Sequence, residues 1–432
     1  MASESLQEDQ AWPDLDIADY AASPVSAAER LVTLDFIRGI AVLGILVANI
    51  VGFSAPLAAY SWPGAYPQPM GRAGDLVWLA QYLLIDGKMR GLFSLLFGAS
   101  MMLFMERAWA RGASRWLQAR RLTWLGLFGL AHMVFLYWGD ILYLYAFAGL
   151  VALVFVRHEP DKLLGLGLAW YVAGAVFLSV TMGAPALAEH SGSQGAASSA
   201  DAAQVTAAVS DAADGGKREL AAYSSGSYSA EIAFFAREHS NQLVQQPVFA
   251  LLETVPLMLI GMALYNYGLF GGGIDSRRLR KWAWTGIAAG LALTLPLGLW
   301  AMAEGFPYFL TKFVFDGIVQ FPHLPMVLGL AVLFALWAPS AAKGWLGARF
   351  VAVGRMAFSN YIGTSLVMML IFRHWALGYY GELTRVQLLV PMALGWVLIL
   401  AWSKVWLEHF RYGPLEWLWR CLTYWRVFPL RR

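Results

Sequence analysis

His132 sits in the apolar run GLAHMVFLYWGDIL, residues 129–142, and Asp140 follows it just past a Trp-Gly pair. An imidazole that titrates near neutral pH, with a carboxylate close by, is the raw material of general acid–base catalysis. On one straight helix the two groups would stand about 12 Å apart, beyond a direct hydrogen bond. Asp140 therefore has two readings. It orients the imidazole or an acceptor, or it is the N-cap of the helix that begins ILYLYA. His132 is either a general base or a neutral ring bonded to a neighbouring helix.

Three further clusters place polar groups in apolar surroundings, where each is costly and points to function by default. In TLDFIRGIAVLGILVANIVGF, Asp35 and Arg38 are three apart and share a helix face. Arg38 and Asn49 are separated by three turns, roughly 16 Å along the axis, so a polar stripe is expected between them. In KMRGLFSLLFG, Lys88 and Arg90 either snorkel to the membrane surface or meet a substrate. In GRMAFSNYIGTS, Arg355 supplies a cationic end, and Asn360 with Thr364 a polar face, for interhelical bonding or for a ligand. Asp316, Gln320 and His323 also share a face, beside Pro322 and Pro325, which should kink the helix.

No HExxH, GxSxG elbow, Walker loop or dinucleotide fingerprint is present. The seven His are scattered without metal-ligand spacing, so no metal is expected. The single cysteine, Cys421, forms no intrachain disulfide. A net charge of +3 and the lack of a basic, aromatic-interleaved module argue against nucleic acid as a partner.

These residues need elements to hold them, and composition indicates which. Of 432 residues, 59% are hydrophobic and 14% charged, with a mean hydropathy of +0.54. The apolar residues come in runs of about twenty, the length that spans a hydrocarbon core. The expected fold is an all-α, polytopic membrane bundle of about ten helices, whose partners include membrane lipids. The spans lie near 34–57, 77–105, 121–138, 141–157, 162–183, 247–269, 282–302, 313–338, 350–372 and 387–405. Arg107, Arg111, Arg115, Arg120 and Arg121 fill one loop and span start, and DSRRLRK another. Loops on the other side are poor in Lys and Arg. The positive-inside rule then makes the basic side, with both termini, cytoplasmic.

Residues 1–30 read as a disordered acidic cytoplasmic tail, 31–424 as the transmembrane domain and 425–432 as a basic cytoplasmic tail. Residues 184–246 read as a long extracytoplasmic loop. Its Ala/Ser/Gly-rich part is expected to be mobile, and SAEIAFFAREHSNQLVQQ to form a short amphipathic helix.

The segments LDFIRGIAVLGILVANI, LFSLLFG, GLAHMVFLYWGDILYLYAFAGL, GRMAFSNYI and FRYGPLEWLWRCLTY occur in that order across residues 33–424. Together they resemble the YeiB-like family of bacterial membrane proteins. The resemblance implies the bacterial cytoplasmic membrane and a grouping with transmembrane acyltransferases, including the lysosomal heparan glucosaminide acetyltransferases. Those also open a span with LDxxRG, matched here by Leu34, Asp35, Arg38 and Gly39. They move an acyl group from cytoplasmic acyl-CoA, through a histidine in the loop after that span, to a sugar on the far side. Here that loop, SAPLAAYSWPGAYPQPMGRAGD, has no histidine, so His132 would have to take the role.

The resulting expectation is acyl transfer from acyl-CoA to a hydroxyl, amine or glycan acceptor at the outer face. Arg38, Arg121 and Arg355 would contact the phosphates. The thioester would thread along the Arg38–Asn49 stripe. His132 would act as base and Asp140 as its orienting partner, with Asn49 or Asn360 donating to the oxyanion and Lys88 and Asn360 contacting substrate. The alternative from the same residues is a transporter or flippase for an amphiphilic or lipid-linked solute, with His132 in a proton relay.

Overall fold

The computed structural model describes residues 32–193, 199–271 and 276–432. The expected acidic tail, 1–30, lies outside the described residues. Among these residues the regular structure is helical, with a single isolated bridge between Phe410 and Arg431.

The core is built around α1 (Val32–Ser54), which is buried over 78% of its apolar window. The chain continues through α2 (Gly71–Leu84), α3 (Lys88–Ala110), α4 (Arg115–Phe135), α5 (Leu142–Ala152) and α6 (Pro160–Ser193). Next come α7 (Ser199–Tyr223), α8 (Tyr228–Phe234), α9 (Gln242–Phe249), α10 (Val255–Asn266) and α11 (Ser276–Ala303). The last are α12 (Gln320–Ala341), α13 (Trp345–Arg355), α14 (Ala357–Phe372), α15 (Leu389–His409) and α16 (Pro414–Tyr424). In α11 and α15 only 28% of the apolar window is buried, so these helices present their sides to lipid.

Helix α1 can sit at the centre because α13 approaches it backbone to backbone. A Cβ at Gly39 would lie 2.0 Å from the Phe350 carbonyl oxygen, and one at Gly354 would lie 1.8 Å from that of Asp35. Small residues at both crossing points replace side-chain interdigitation with close main-chain contact. This fixes Arg38, between them on α1, against the start of α14.

The protein is a polytopic helical membrane protein. Among the described residues seven helices are long and apolar enough to cross, or eight if α13 and α14, bent by 88° at Met356, form one broken span. Two of the expected spans correspond to helices outside that set. Helix α4 opens with Arg115, Arg120 and Arg121, and α5 has only 11 residues.

Within 184–246 the described residues are largely helical, while residues 194–198 of the expected mobile stretch lie outside the described residues. Helix α6 runs on to Ser193, and residues 199–239 fold as helices laid over one end of the bundle. Buried ionisable groups hold this cap down. Glu219 accepts from the Leu57 amide at 2.8 Å and the Tyr380 hydroxyl at 3.1 Å, while Glu231 pairs with Arg373 at 3.3 Å. A mobile linker would leave those carboxylates and Arg373 without partners, a costly state for buried charge. At the opposite, Arg-rich end, the basic tail is pinned as well. The Trp417 indole donates to the Phe428 carbonyl at 2.7 Å, and the Arg411 amide to that of Leu430 at 2.9 Å.

Candidate functional site

The His132–Asp140 question is resolved by a chain reversal. Helix α4 stops at Phe135, and the amides of Leu136 and Tyr137 both donate to the His132 carbonyl at 2.9 Å. The next residues fold back and bring the Asp140 Oδ1 to 2.7 Å from His132 Nδ1. The separation of about 12 Å expected for a straight helix therefore does not hold, because the helix ends between the two residues.

Asp140 makes two contacts at once. Its Oδ2 accepts from the Tyr143 amide at 2.6 Å, in the manner of a helix cap, while Oδ1 holds the imidazole. The turn is fixed from a third element, since the Ile141 amide donates to the Tyr361 hydroxyl of α14 at 3.1 Å. The Tyr361 ring lies 5.0 Å from the imidazole. Only glycine fits at position 129, where a Cβ would stand 2.2 Å from the Tyr143 nitrogen.

Both members are buried, His132 at 2% exposure and Asp140 at 1%. His132 Nε2 has no hydrogen-bond partner. A carboxylate on Nδ1 favours the tautomer with its proton there, leaving the Nε2 lone pair available. This is the arrangement of an oriented general base.

Next to the pair lies a cavity of about 630 Å³ near the capped end. Asp140 and Tyr137 line it directly, and His132 adjoins it through them. Asn49, Tyr60, Arg90 and Asp316 contribute further polar walls, among largely apolar ones. Arg90 is held by Glu253 through two bonds, Nε–Oε1 at 3.2 Å and Nη2–Oε2 at 2.9 Å. Glu253 stands on a π-helical turn, Ala250–Thr254, between α9 and α10. Gln320 donates to the same carboxylate at 3.3 Å, and the Tyr171 hydroxyl donates to Gln320 Oε1 at 3.1 Å.

Sequence reading missed this network. Arg90 and Gln320 stood out singly, and the unremarked signal was Glu253 in FALLETVPLMLIGM, since a carboxylate buried in an apolar helix needs a cationic partner somewhere.

A second pocket, of about 260 Å³, opens at the Arg-rich end and is lined by Arg38, Arg121, Arg355 and Arg420. Arg38 pairs with Asp35 at 2.6 Å and donates to Ser100 Oγ at 2.7 Å. The Arg121 guanidinium lies over the rings of Phe104, at 4.7 Å, and Trp419, at 4.2 Å. Helix α16 forms one wall. Its Glu416 caps α14, accepting from the amides of Phe358 at 2.8 Å and Ser359 at 3.1 Å, and from the Ser359 hydroxyl.

The Arg38–Asn49 stripe is not one open track. Arg38 faces the Arg-end pocket and Asn49 the capped-end cavity. Phe93 and Phe97, which wall the first, pack in one apolar cluster with Ile45 and Ile141, which wall the second, and with Met89, Leu125 and Leu142 between them.

Two expected ligand contacts are also placed elsewhere. Lys88 does not snorkel to a surface. It is fully buried, and its Nζ donates to the Tyr82 carbonyl at 2.5 Å. Asn360 is fully buried and its amide is saturated. It donates to the Val353 carbonyl at 3.1 Å and accepts from the Trp402 indole at 2.8 Å, with Ser403 beside it at 3.0 Å. It ties α13, α14 and α15 together and has no bond left for an oxyanion. Among the described residues, no three His, Cys, Asp or Glu converge as a metal site.

Residues 264–426 match the family described as "Protein of unknown function (DUF418)". The chain is 31% identical to "Uncharacterized protein YeiB" of Escherichia coli (strain K12), over 91% of this chain and 96% of that protein. It is 31% identical to "Uncharacterized protein YxaH" of Bacillus subtilis (strain 168), over 95% and 98%. It is 26% identical to an "Uncharacterized 39.9 kDa protein in amylase 3'region" of Bacillus acidopullulyticus, over 94% and 97%. No solved structure matches the chain. These similarities run almost end to end in both partners, and the chain belongs to the YeiB-like family.

Proposed function

We propose that the protein transfers an acyl group from a thioester at its Arg-rich end to a hydroxyl or amine acceptor in the cavity at its capped end. The observation that carries this reading is the buried His132–Asp140 pair, with Nε2 unbonded, next to a cavity that also presents Asn49. The protein sits in the bacterial cytoplasmic membrane with its Arg-rich end inside.

Acyl-CoA is the donor. Arg38, Arg121, Arg355 and Arg420 suit its phosphates, because guanidinium groups recognise phosphate oxygens in pairs. The pocket takes a portion of the coenzyme, with the remainder in solvent. The acyl arm reaches the capped-end cavity when the partly buried Phe93 and Phe97 swing aside. Once Tyr137, which stands between the imidazole and the cavity, turns aside, His132 Nε2 removes the acceptor proton as the acceptor atom bonds to the thioester carbonyl carbon. Asp140 stabilises the imidazolium, and Asn49 donates to the oxyanion. When the intermediate collapses the C–S bond breaks, and the thiolate recovers its proton from Nε2.

The test uses full-length protein in nanodiscs with acetyl-CoA as donor. Thioester binding to the folded state raises the melting temperature, and Arg38→Ala is expected to abolish that rise. Free-thiol release in the presence of an acceptor is expected to fall by about 10²-fold or more in His132→Gln. Unchanged thiol release in that variant overturns the reading. So does solute uptake into proteoliposomes that needs no thioester.

A further inference from the structure

The capped-end cavity is bounded on one side by α6 and on the other by the helix that runs from α9 through the π turn into α10. Lower down these two helices are sealed against each other. A Cβ at Gly167 would stand 2.9 Å from the Pro256 carbonyl oxygen, and one at Gly174 would stand 2.2 Å from that of Leu252. The seam ends there. The next residues along α6, beginning at Phe177, line the cavity, and so do Val248 and Val244 across from them. Those three side chains are also strongly exposed, at 53%, 51% and 68%. All three lie on helices apolar and long enough to cross a membrane. An apolar residue that both edges a cavity and faces outward on such a helix points to a mouth open to lipid, with Gln242, Gln245 and Gln246 forming a polar rim beside it.

The other end of the cavity is polar but offers no free positive charge. Arg90 is matched by Glu253, Asp140 is matched by His132, and Asp316 adds a further carboxyl group. An anionic headgroup would meet more negative than positive charge, at short range and in low dielectric. A volume of about 630 Å³ holds a headgroup and the beginning of a chain.

From this geometry we infer that the acceptor is a membrane lipid with an uncharged, hydroxyl-bearing headgroup, which enters sideways between α6 and α9. Its chain stays between Phe177 and Val248 while the headgroup reaches Asp140. The chemistry rests on the acyl-transfer reading, and the lateral route rests on the packing of α6 against α9 and α10.

The experiment is photolabelling of the full chain in phosphatidylcholine nanodiscs with a diazirine-bearing diacylglycerol. A diazirine-bearing phosphatidylglycerol serves as the anionic comparison. Labelled residues are mapped by mass spectrometry. The diacylglycerol is expected to label Leu252, Phe249 or Met182 about tenfold more than the phosphatidylglycerol does.

Val244→Trp and Val248→Trp narrow the mouth and should each cut that labelling by about tenfold, while Val180→Trp, on the outward face of α6, should not. Melting curves identify any variant that fails to fold, and either mouth variant alone suffices. Labelling confined to outward residues such as Val180, or equal labelling by both probes, overturns the inference.

His132→Gln is expected to keep the labelling even though transfer is lost, which separates the site from its chemistry. Acyl transfer to a water-soluble sugar with no label in the cavity would remove the lateral lipid route and leave acyl transfer standing.

Discussion

Gly129 lies directly beneath the Asp140 carboxylate: a Cβ added to it would stand 2.7 Å from Oδ2 and 2.2 Å from the Tyr143 nitrogen. The catalytic geometry of the proposed base thus depends on a missing methyl group one turn before His132. Gly129→Ala should push the α5 start away from α4 and lengthen the bond between Asp140 and His132. Since Ala favours helix over Gly by roughly 1 kcal/mol, propensity alone would raise stability. A net fall in melting temperature of the purified variant is the expected outcome, because the clash outweighs that gain. An unchanged or higher melting temperature would show that the turn has room to move.

Asp140→Asn tests whether the carboxylate orients the ring. An asparagine keeps the size and can still cap the Tyr143 amide through its carbonyl, but it no longer offers a carboxylate to imidazolium. Transfer should drop by about 10²-fold to 10⁴-fold with little change in the donor concentration giving half-maximal rate. A variant with full turnover but a lower melting temperature would reduce Asp140 to a helix cap.

Arg90, partly exposed at the cavity wall, and the buried Glu253 are a pair whose members depend on each other. Removing one leaves the other unpaired in apolar surroundings, so Arg90→Met and Glu253→Leu should each cost about 3 kcal/mol or more. The double variant should recover much of that loss, since no isolated charge remains. Chemical or thermal unfolding of all four proteins in one detergent gives the cycle. Additive losses would mean that the two side chains do not interact energetically.

Local spacing made some of this legible. Asp35 and Arg38, three apart, do pair, because that relation depends only on helix geometry. Apolar runs near membrane thickness gave most of the helices. Distances that depend on where a helix stops were not legible. His132 and Asp140 stood out singly, but their contact needs the end of α4 at Phe135, inside an unbroken apolar run. Long-range partners were also hidden. Nothing near Glu253 announces Arg90, far earlier in the chain, and the polar face of Asn360 gave no hint that Trp402 and Ser403 would saturate it. The cap was misread for a related reason. Its Ala/Ser/Gly composition suits a linker, while its few anchoring residues, Glu219 and Glu231, meet partners on distant segments.

Glu416 provides a pH dependence whose sign can be worked out. Burial raises its pKa above the ordinary 4.5, outweighing the bonds from Ser359 and Phe358 that favour the carboxylate. The folded protein therefore keeps a proton that the unfolded chain releases. The resulting stabilisation is complete below the ordinary value and is lost as pH rises through the raised one. Glu416→Gln keeps an acceptor for the α14 amides but cannot titrate. The melting temperature of the wild type minus that of the variant should therefore be largest at about pH 4 and shrink towards about pH 7. A difference that grows with pH would mean that the ionised carboxylate is the form holding α16 to α14. In that case the cap on Phe358 and Ser359 outweighs the cost of burying its charge.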